Sequence, residues 1–594
     1  MFSTFTVTAR WLMLSLLCIP VLAGIIGVVF PAFGYFPAIG EVQFSIKPFL
    51  SFFALEDMMT MTGLSLFTGV GSTLLATLGA FCLLAFFYQT RAMQKIQALL
   101  SPLLVIPHAA AAIALVFVIS PSGFFARLFT LDGSALVSTT SNSLPFDAYG
   151  LSVLAALALK ELPFIVLMAL SAMSEPSIHS KLTQYTRVGT SLGYSRIACF
   201  FLLVLPTLFP KIRLPLLAVL VFATSNVEIP LILGANNPST LAVAVLHWFN
   251  HIDLSMRLLG SAGALVQVGV SCFALCLFLA IERGLSVMGQ VLMVSGRRHF
   301  ADRAVKGASY AIIAAYIVLV GAIVYSVVTY SFAEYWVFPA MIPDGLTTIH
   351  WQTLFSTISQ PFINTLILGL LTSVSSIVVV LMALEAEVLR PGKKSTMTIL
   401  SLALFLPLLV PGVAFLYGLV WFQQLFLQSA TWFHTYIAHM VYVLPYVFLS
   451  LAVVYRRFDP RYTMVAQSLG KTPMQVFFVI KLPLMIGPIF VAWALGFAIS
   501  LSQYLPTLLA SGGAIPTVTT EAVASVSGSS TRLTAAYVIV QMVMPLIGFV
   551  VAWTLPRVVY NPRKTHRLSS KDEGHAIDIN HEAVKHREGN HVAE

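Results

Sequence analysis

"TSLGYSRIACFFLLVLP" (residues 190–206) and "QSLGKTPMQVFFVIKLP" (residues 467–483) lie 277 residues apart and agree at seven ungapped positions. The shared pairs are Ser191/Ser468, Leu192/Leu469, Gly193/Gly470, Phe200/Phe477, Phe201/Phe478, Leu205/Leu482 and Pro206/Pro483. Gly and Pro are minor components, 36 and 31 of 594 residues, so composition does not explain the agreement. Other segments recur in the same order. "VIPHAAAAIAL" near Pro107 is answered by "LVPGVAFLYGL" near Pro411, and "LPF" at 162–164 by "LPY" at 444–446. "NPSTLAVAV" at 237–245 is answered by "IPTVTTEAV" at 515–523. A repeat of this length signals a duplicated architecture. The first copy is longer because of the polar, Ser/Thr-rich stretch from about Pro121 to Asp147, and surface loops tolerate such insertions.

The surrounding composition decides the solvent. Hydrophobic residues make up 58% of the chain, charged residues only 9%, and the mean hydropathy is +0.90. A soluble domain is about 25% charged. Apolar runs long enough for about 30 Å of hydrocarbon fall at 11–30, 64–88, 103–120, 150–173, 212–234 and 262–282. A second set falls at 309–330, 362–384, 399–421, 432–455, 484–510 and 535–555. The expected fold is therefore an all-α polytopic membrane protein of about 12 transmembrane helices. The run from Trp11 to Phe30 is long and ends in no clear cleavage site, so it reads as a retained first span.

Charge sets the orientation. With a cytoplasmic N-terminus, 28 of the 33 Lys and Arg residues fall inside. Lys47, Arg127, Arg257 and Arg532 fall outside, and Lys160 lies within a span. The positive-inside rule then places both termini in the cytoplasm. It also assigns the net charge of +10 to topology, not to nucleic acid. Six spans per half is an even number, so the halves are tandem and parallel, related by an axis along the membrane normal. Both SLG segments fall in cytoplasmic loops between the fourth and fifth span of their half. The five cysteines (Cys18, Cys82, Cys199, Cys272, Cys276) sit in apolar stretches with no CxxC, and read as buried small hydrophobes.

Each SLG loop is a basic, partly helical stretch that turns at a Gly and meets a Leu-Pro where the next span begins. The Gly permits φ > 0. The Pro suits the first turn of a helix, where its missing N–H is no loss. A short helix set across a bundle is a lever. These loops resemble the "EAA" loop of permease subunits in binding-protein-dependent ABC importers, whose pattern is Glu-Ala-Ala, three residues, Gly, then Leu-Pro downstream. Gly193 and Gly470 match the Gly, Leu205-Pro206 and Leu482-Pro483 the Leu-Pro, and Gly189 and Ala466 the last small residue. Arg187 and Met464 stand at the Glu position, so the acidic contact is absent from both loops.

The resemblance covers about 64–282 and 362–555. It is closest to fused two-half permeases of iron(III) and thiamine importers. "IPHAAAA" (106–112), "SLGYSR" (191–196), "NNPSTLAV" (236–243) and "SQYLPTLLASGG" (502–513) look like the uncharacterised Ynj-type thiamine permeases. The resemblance implies a type I ABC-importer permease fold, with a first half at 1–298 and a second at 299–560; the polar composition of 561–594 reads as a disordered cytoplasmic tail. It implies that Ser191, Leu192, Gly193, Tyr194 and Arg196, with Ser468, Leu469, Gly470 and Lys471, form coupling helices docked in two ATP-binding cassette subunits. It also implies a periplasmic solute-binding protein and an inner-membrane location. ATP and Mg would belong to the partner ATPase, and this chain would hold no cofactor.

Several local patterns point elsewhere and fail. "SLGKT" (468–472) lacks the first Gly of a P-loop, because Val465 occupies it; "PGKKS" (391–395) has Glu387 there. No ATP hydrolysis is therefore expected in this chain, and it reads as a transport subunit, not an enzyme. The tail histidines His566, His575, His581, His586 and His591 match no metal spacing, and His247 and His251 have no further ligand nearby. No metal site is expected. A twelve-helix ion-gradient-driven secondary transporter is the alternative. Its loop after the second span would hold a Gly/Asp/Arg-rich motif, but "YQTRAMQKIQALLS" has neither Gly nor Asp.

Lys160 and Glu161 fall near the middle of the fourth span, where an ionised residue costs about 2.5–3.5 kcal/mol to insert. Neighbours on a helix point about 100° apart and do not readily pair. Glu228 lies in "SNVEIP" on the fifth span, and its counterpart by register is Tyr504 in "SQYLP". Two readings stand. Lys160, Glu161, Glu228, Gln503 and Tyr504 line a pathway or gate, or Lys160 and Glu228 form a structural ion pair. Acidic lining suits a cationic solute, thiamine-like or metallic, without choosing between them.

Overall fold

The computed structural model describes residues 2–130, 144–299, 301–389, 407, 410–426, 432–528 and 530–559. The "PGKKS" segment, the start of the ninth expected span, part of the 121–147 loop and the 561–594 tail with its histidines lie outside the described residues. Among those described, the regular structure is helical. We number the span- and site-forming helices of the first half α1 (Phe2–Ala32), α2 (Met58–Phe87), α3 (Arg91–Val105), α4 (His108–Ile119), α5 (Leu151–Met173), α6 (Pro176–Ser191), α7 (Leu205–Thr224), α8 (Glu228–Leu233), α9 (Leu241–Phe249) and α10 (Met256–Val294). The second half has α11 (Asp302–Phe332), α12 (Ser359–Leu389), α13 (Gly412–Phe426), α14 (Trp432–Arg456), α15 (Pro460–Ser468), α16 (Ile486–Ser502), α17 (Leu505–Ser511), α18 (Val518–Val526) and α19 (Thr531–Val559).

Ten described helices are long and apolar enough to cross a membrane, and an eleventh span is a pair bent by 76°. The ninth expected span is represented by α13. The third is interrupted at Pro107, which separates α3 from α4 because a Pro disfavours helix in the residue before it. Cys82 and Cys199 are buried and Cys18 is half-buried, but Cys272 and Cys276 are exposed on α10, so the expectation of burial fails for those two. Their helix is only 28% buried over its most apolar stretch, as suits a flank that meets lipid.

Each half closes around three helices: α2, α5 and α7 in the first, α12, α14 and α16 in the second. The same small residues set both contacts. Gly69 of α2 lies against Thr224 of α7, and Gly369 of α12 against Phe497 and Leu501 of α16, so a Cβ at either would collide. Ser65 Oγ accepts the Leu241 N–H at 2.9 Å, and Thr365 Oγ1 accepts the Val518 N–H at 2.9 Å. These pairs fix the register between α2 and α12 at an offset of 300.

The first helix of each half is exchanged. α1 packs on α12, α13 and α14, and Met13, Leu14 and Leu17 join the core of the second half. α11 packs on α19 of its own half and also on α2 and α4, and Val305 and Tyr316 join the core of the first. Gly24 and Gly27 of α1 meet Phe415 and Gly418 of α13 backbone to backbone, the kind of approach small residues allow in membranes. α11 is tied by hydroxyls instead. Ser309 Oγ donates to Cys82 O at 2.9 Å, and Tyr316 OH to Leu159 O at 2.6 Å. The Phe2 ring of α1 lies 5.8 Å from that of Phe477, tilted by 48°, so the N-terminus and the second SLG loop share a face.

Candidate functional site

The two SLG loops form the same turn from the same bonds. α6 ends with Tyr194 N–H donating to Gly189 O at 3.0 Å and Gly193 N–H to Thr190 O at 3.0 Å. α15 ends with Lys471 N–H donating to Ala466 O at 3.1 Å and Gly470 N–H to Gln467 O at 2.9 Å. This closure needs a left-handed residue after the helix, and Gly193 and Gly470 supply it at φ +84° and +78°. Ser191 Oγ donates to Val188 O and Ser468 Oγ to Val465 O, each at 2.8 Å. The next residues restart the helix. Ser195 caps through Ala198 N–H at 3.1 Å, and Thr472 forms a capping box with Gln475.

The turn aims one apolar side chain outward in each half: Leu192 is 58% exposed and Leu469 75%. Arg196 and Lys471 are exposed beside them. Beneath each loop lies an open depression of about 520 Å³. The first is polar, lined by His179, Thr183, Thr186, Arg187 and Arg196. The second is more apolar, with Tyr462, Val465, Leu469 and Ile480. In both halves a π-helical stretch follows, Phe200–Val204 and Val476–Lys481, directly before the Leu-Pro. A Pro ring clashes with the carbonyl four residues back in an α-helix, and the wider π turn relieves that contact.

The loops differ in their supports. Ser195 N–H donates to Arg298 O at 2.9 Å, and Ser195 Oγ to Asp302 Oδ1 at 2.8 Å. The linker between the halves thus braces the first loop, with the Arg298 side chain beside Gly193. Around Gly470 the space is open. In the second half Lys481 and Glu385, with Tyr455, form a buried ionic cluster. Lys481 and Glu385 fall just outside the expected spans 484–510 and 362–384, and nothing local pairs them; the one signal is Glu385 at the end of an apolar run.

Glu228, Gln503 and Tyr504 lie at breaks in the helices, whereas Lys160 and Glu161 lie inside α5. The fifth span breaks at 225–227, between α7 and α8, and its second-half counterpart at 503–504, between α16 and α17. Glu228 opens α8, and its Oε1 accepts the Tyr504 N–H at 3.3 Å across the two halves. Gln503 Nε2 donates to His439 O at 3.3 Å, and its Oε1 is buried without a partner. His439 bridges Ser500 at 2.9 Å and Thr507 at 2.8 Å. Lys160 does not pair with Glu228. Its Nζ donates to Leu103 O at 2.8 Å and Ile106 O at 2.6 Å, where the break at Pro107 leaves carbonyls free. The ion-pair reading of Lys160 and Glu228 is thereby corrected. Glu161 is buried next to it, Glu228 half-buried, and Tyr504 buried.

No family model matches the chain. Over 457 residues it is 30% identical to the inner membrane ABC transporter permease protein YnjC of Escherichia coli K12, covering 77% of this chain and 80% of that one. It is 26% identical over 167 residues to a spermidine/putrescine transport system permease protein PotC homolog of Mycoplasma genitalium, which is 27% of this chain and 58% of that one. It is 30% identical over 121 residues to the putrescine transport system permease protein PotI of E. coli K12, 20% of this chain and 43% of that one. The duplicated helical bundle, the repeated turn and the YnjC match over most of both chains lead to one conclusion: the protein belongs to the permease subunits of ABC transporters.

Proposed function

We propose that this multi-pass permease forms the pathway of an ATP-driven importer of a small cation. Two ATP-binding cassette subunits hold ATP and Mg and dock at the SLG loops on the cytoplasmic face, where both termini also lie. Their closure on ATP pushes the loops, and a periplasmic binding protein delivers solute to the outward-open pathway. One observation supports the docking: the same glycine turn, with the same exposed leucine, is built twice in a duplicated chain. The paired change Gly193→Asp, Gly470→Asp tests it in vesicles holding the permease, the ATPase and the binding protein. Wild type should retain the ATPase subunit and be stimulated by loaded binding protein, and the variant should not. A variant that behaves as wild type overturns the docking assignment.

Cation selectivity rests on the carboxylates of Glu161 inside α5 and Glu228 at the break of the fifth span, with Gln503 and Tyr504 at the matching break of the second half. The two polyamine-permease relatives agree with a cationic solute. Lys160 is engaged by the Leu103 and Ile106 carbonyls, so it does not occupy either carboxylate. Uptake of thiamine, putrescine and iron(III), against neutral and anionic controls, tests the class. Uptake confined to the anions overturns it.

A further inference from the structure

The second half holds a buried charge cluster that its own architecture does not require. Lys481 Nζ reaches Glu385 Oε1 at 2.8 Å and Oε2 at 2.7 Å, and Tyr455 OH donates to Glu385 Oε2. All three residues are at most 4% exposed. They come from three elements: the π turn after the SLG loop, the end of α12 and the end of α14. The repeat gives their counterparts in the first half. The offset of 300 between α2 and α12 pairs Glu385 with Ala85. The Leu-Pro alignments pair Lys481 with Val204 and Tyr455 with Met173. Ala85, Val204 and Met173 are all buried in the core of the first half. The same junction therefore closes with three apolar side chains.

Stability does not account for the difference, because apolar residues of similar volume are often as good as a buried ion pair or better. What the pair adds is direction. Two charge-assisted bonds from one ammonium to one carboxylate resist sliding, whereas apolar surfaces slip. A support of that kind is needed here. The segment Pro473–Leu484 and the helix Ile486–Ser502 meet at 76°. A push on Leu469 would turn the short segment about that elbow. In the first half Arg196–Leu233 runs on without such a bend.

The geometry points to Lys481, Glu385 and Tyr455 as a positioning pin that passes the movement of the second SLG loop to α12 and α14. The inference rests on the docking of ATPase subunits at the loops. Its test uses the whole importer in vesicles, with solute uptake per ATP hydrolysed as the readout. The triple variant Glu385→Ala, Tyr455→Met, Lys481→Val installs the residues of the first half. It should retain the ATPase subunit and hydrolyse ATP, while uptake per ATP falls about fivefold or more. The charge exchange Glu385→Lys, Lys481→Glu should restore part of that ratio. Tyr455→Phe, which removes one hydroxyl and leaves the packing, should lower the ratio less and serves if the triple variant fails to assemble. Wild-type uptake per ATP in the triple variant, or in Tyr455→Phe where that variant stands in, overturns the pin. An ATPase subunit absent from wild type overturns the docking itself, and is read separately by co-purification.

Discussion

In the first half Ser195 is held by Arg298 and Asp302 of the central linker, and the chain continues from Arg196 to Leu233 without a sharp bend. In the second half Gly470 stands in open space, and the chain turns through 76° before α16. Yet the two turns share their hydrogen bonds, their left-handed glycine and their outward leucine. A helix end of this kind is set by about six residues of backbone, so it survives wide divergence of the side chains around it. The mounting depends on whichever neighbours the chain supplies. The same turn can thus be fixed to the membrane helices by unlike means.

The exchanged helices show the same contrast and give the largest expected effect. α1 meets α13 through glycine backbones, while α11 is held to α2 and α5 by two hydroxyls. Gly418→Leu should therefore abolish assembly, since backbone contact leaves no room and exceeds the roughly 1–3 kcal/mol of ordinary overpacking. Ser309→Ala should cost only about 1 kcal/mol, the net value of one hydrogen bond. Thermal unfolding in detergent checks both, and equal effects would erase the contrast.

The next comparison is between the leucines. Leu469→Asp and Leu192→Asp should each weaken retention of the ATPase subunit, by about 2 kcal/mol if each is an interface anchor. The second loop, with the more apolar depression beside it, should lose more. Quantitative co-purification at matched expression decides the order, and equal losses would show that the apolar depression does not matter to docking.

Across the two halves the Glu228 carboxylate accepts the Tyr504 N–H, and the two residues stand at matched positions of the repeat. Glu228→Gln should raise the KM for a cationic solute by about tenfold, the value of one charged hydrogen bond. Tyr504→Phe should change it less, because the recorded contact to Glu228 comes from the Tyr504 backbone. Initial uptake rates over a range of solute concentrations separate the two. The smallest effect is expected at the brace. Ser195→Ala removes the bond to Asp302 and the cap on Ala198, and should speed amide exchange at 190–198 while leaving 467–475 unchanged. Faster exchange at both loops would mean that the linker stabilises the whole face.

Much of this protein follows from local rules that a sequence displays. Apolar runs set the spans, because hydrocarbon rewards little else. Glycine after a helix sets the turn, because few other residues adopt φ near +80°. Repetition of both, with the positions of Pro107 and Pro411, marks out the two matching halves. Residues distant in sequence decided the rest. The exchange of α1 and α11 leaves no periodic trace, since a lipid-facing helix reads alike whichever half it covers. Lys160 looked like a partner for Glu228, but a break at Pro107, 53 residues earlier, offered it carbonyls first. Glu385 and Lys481 looked like loop charges until the ends of two helices and a π turn met around them. Sequence determined the elements and their repetition, which are properties of neighbouring residues. Only the tertiary structure decided which buried charges find which partners, because that depends on distances between segments 54 to 96 residues apart.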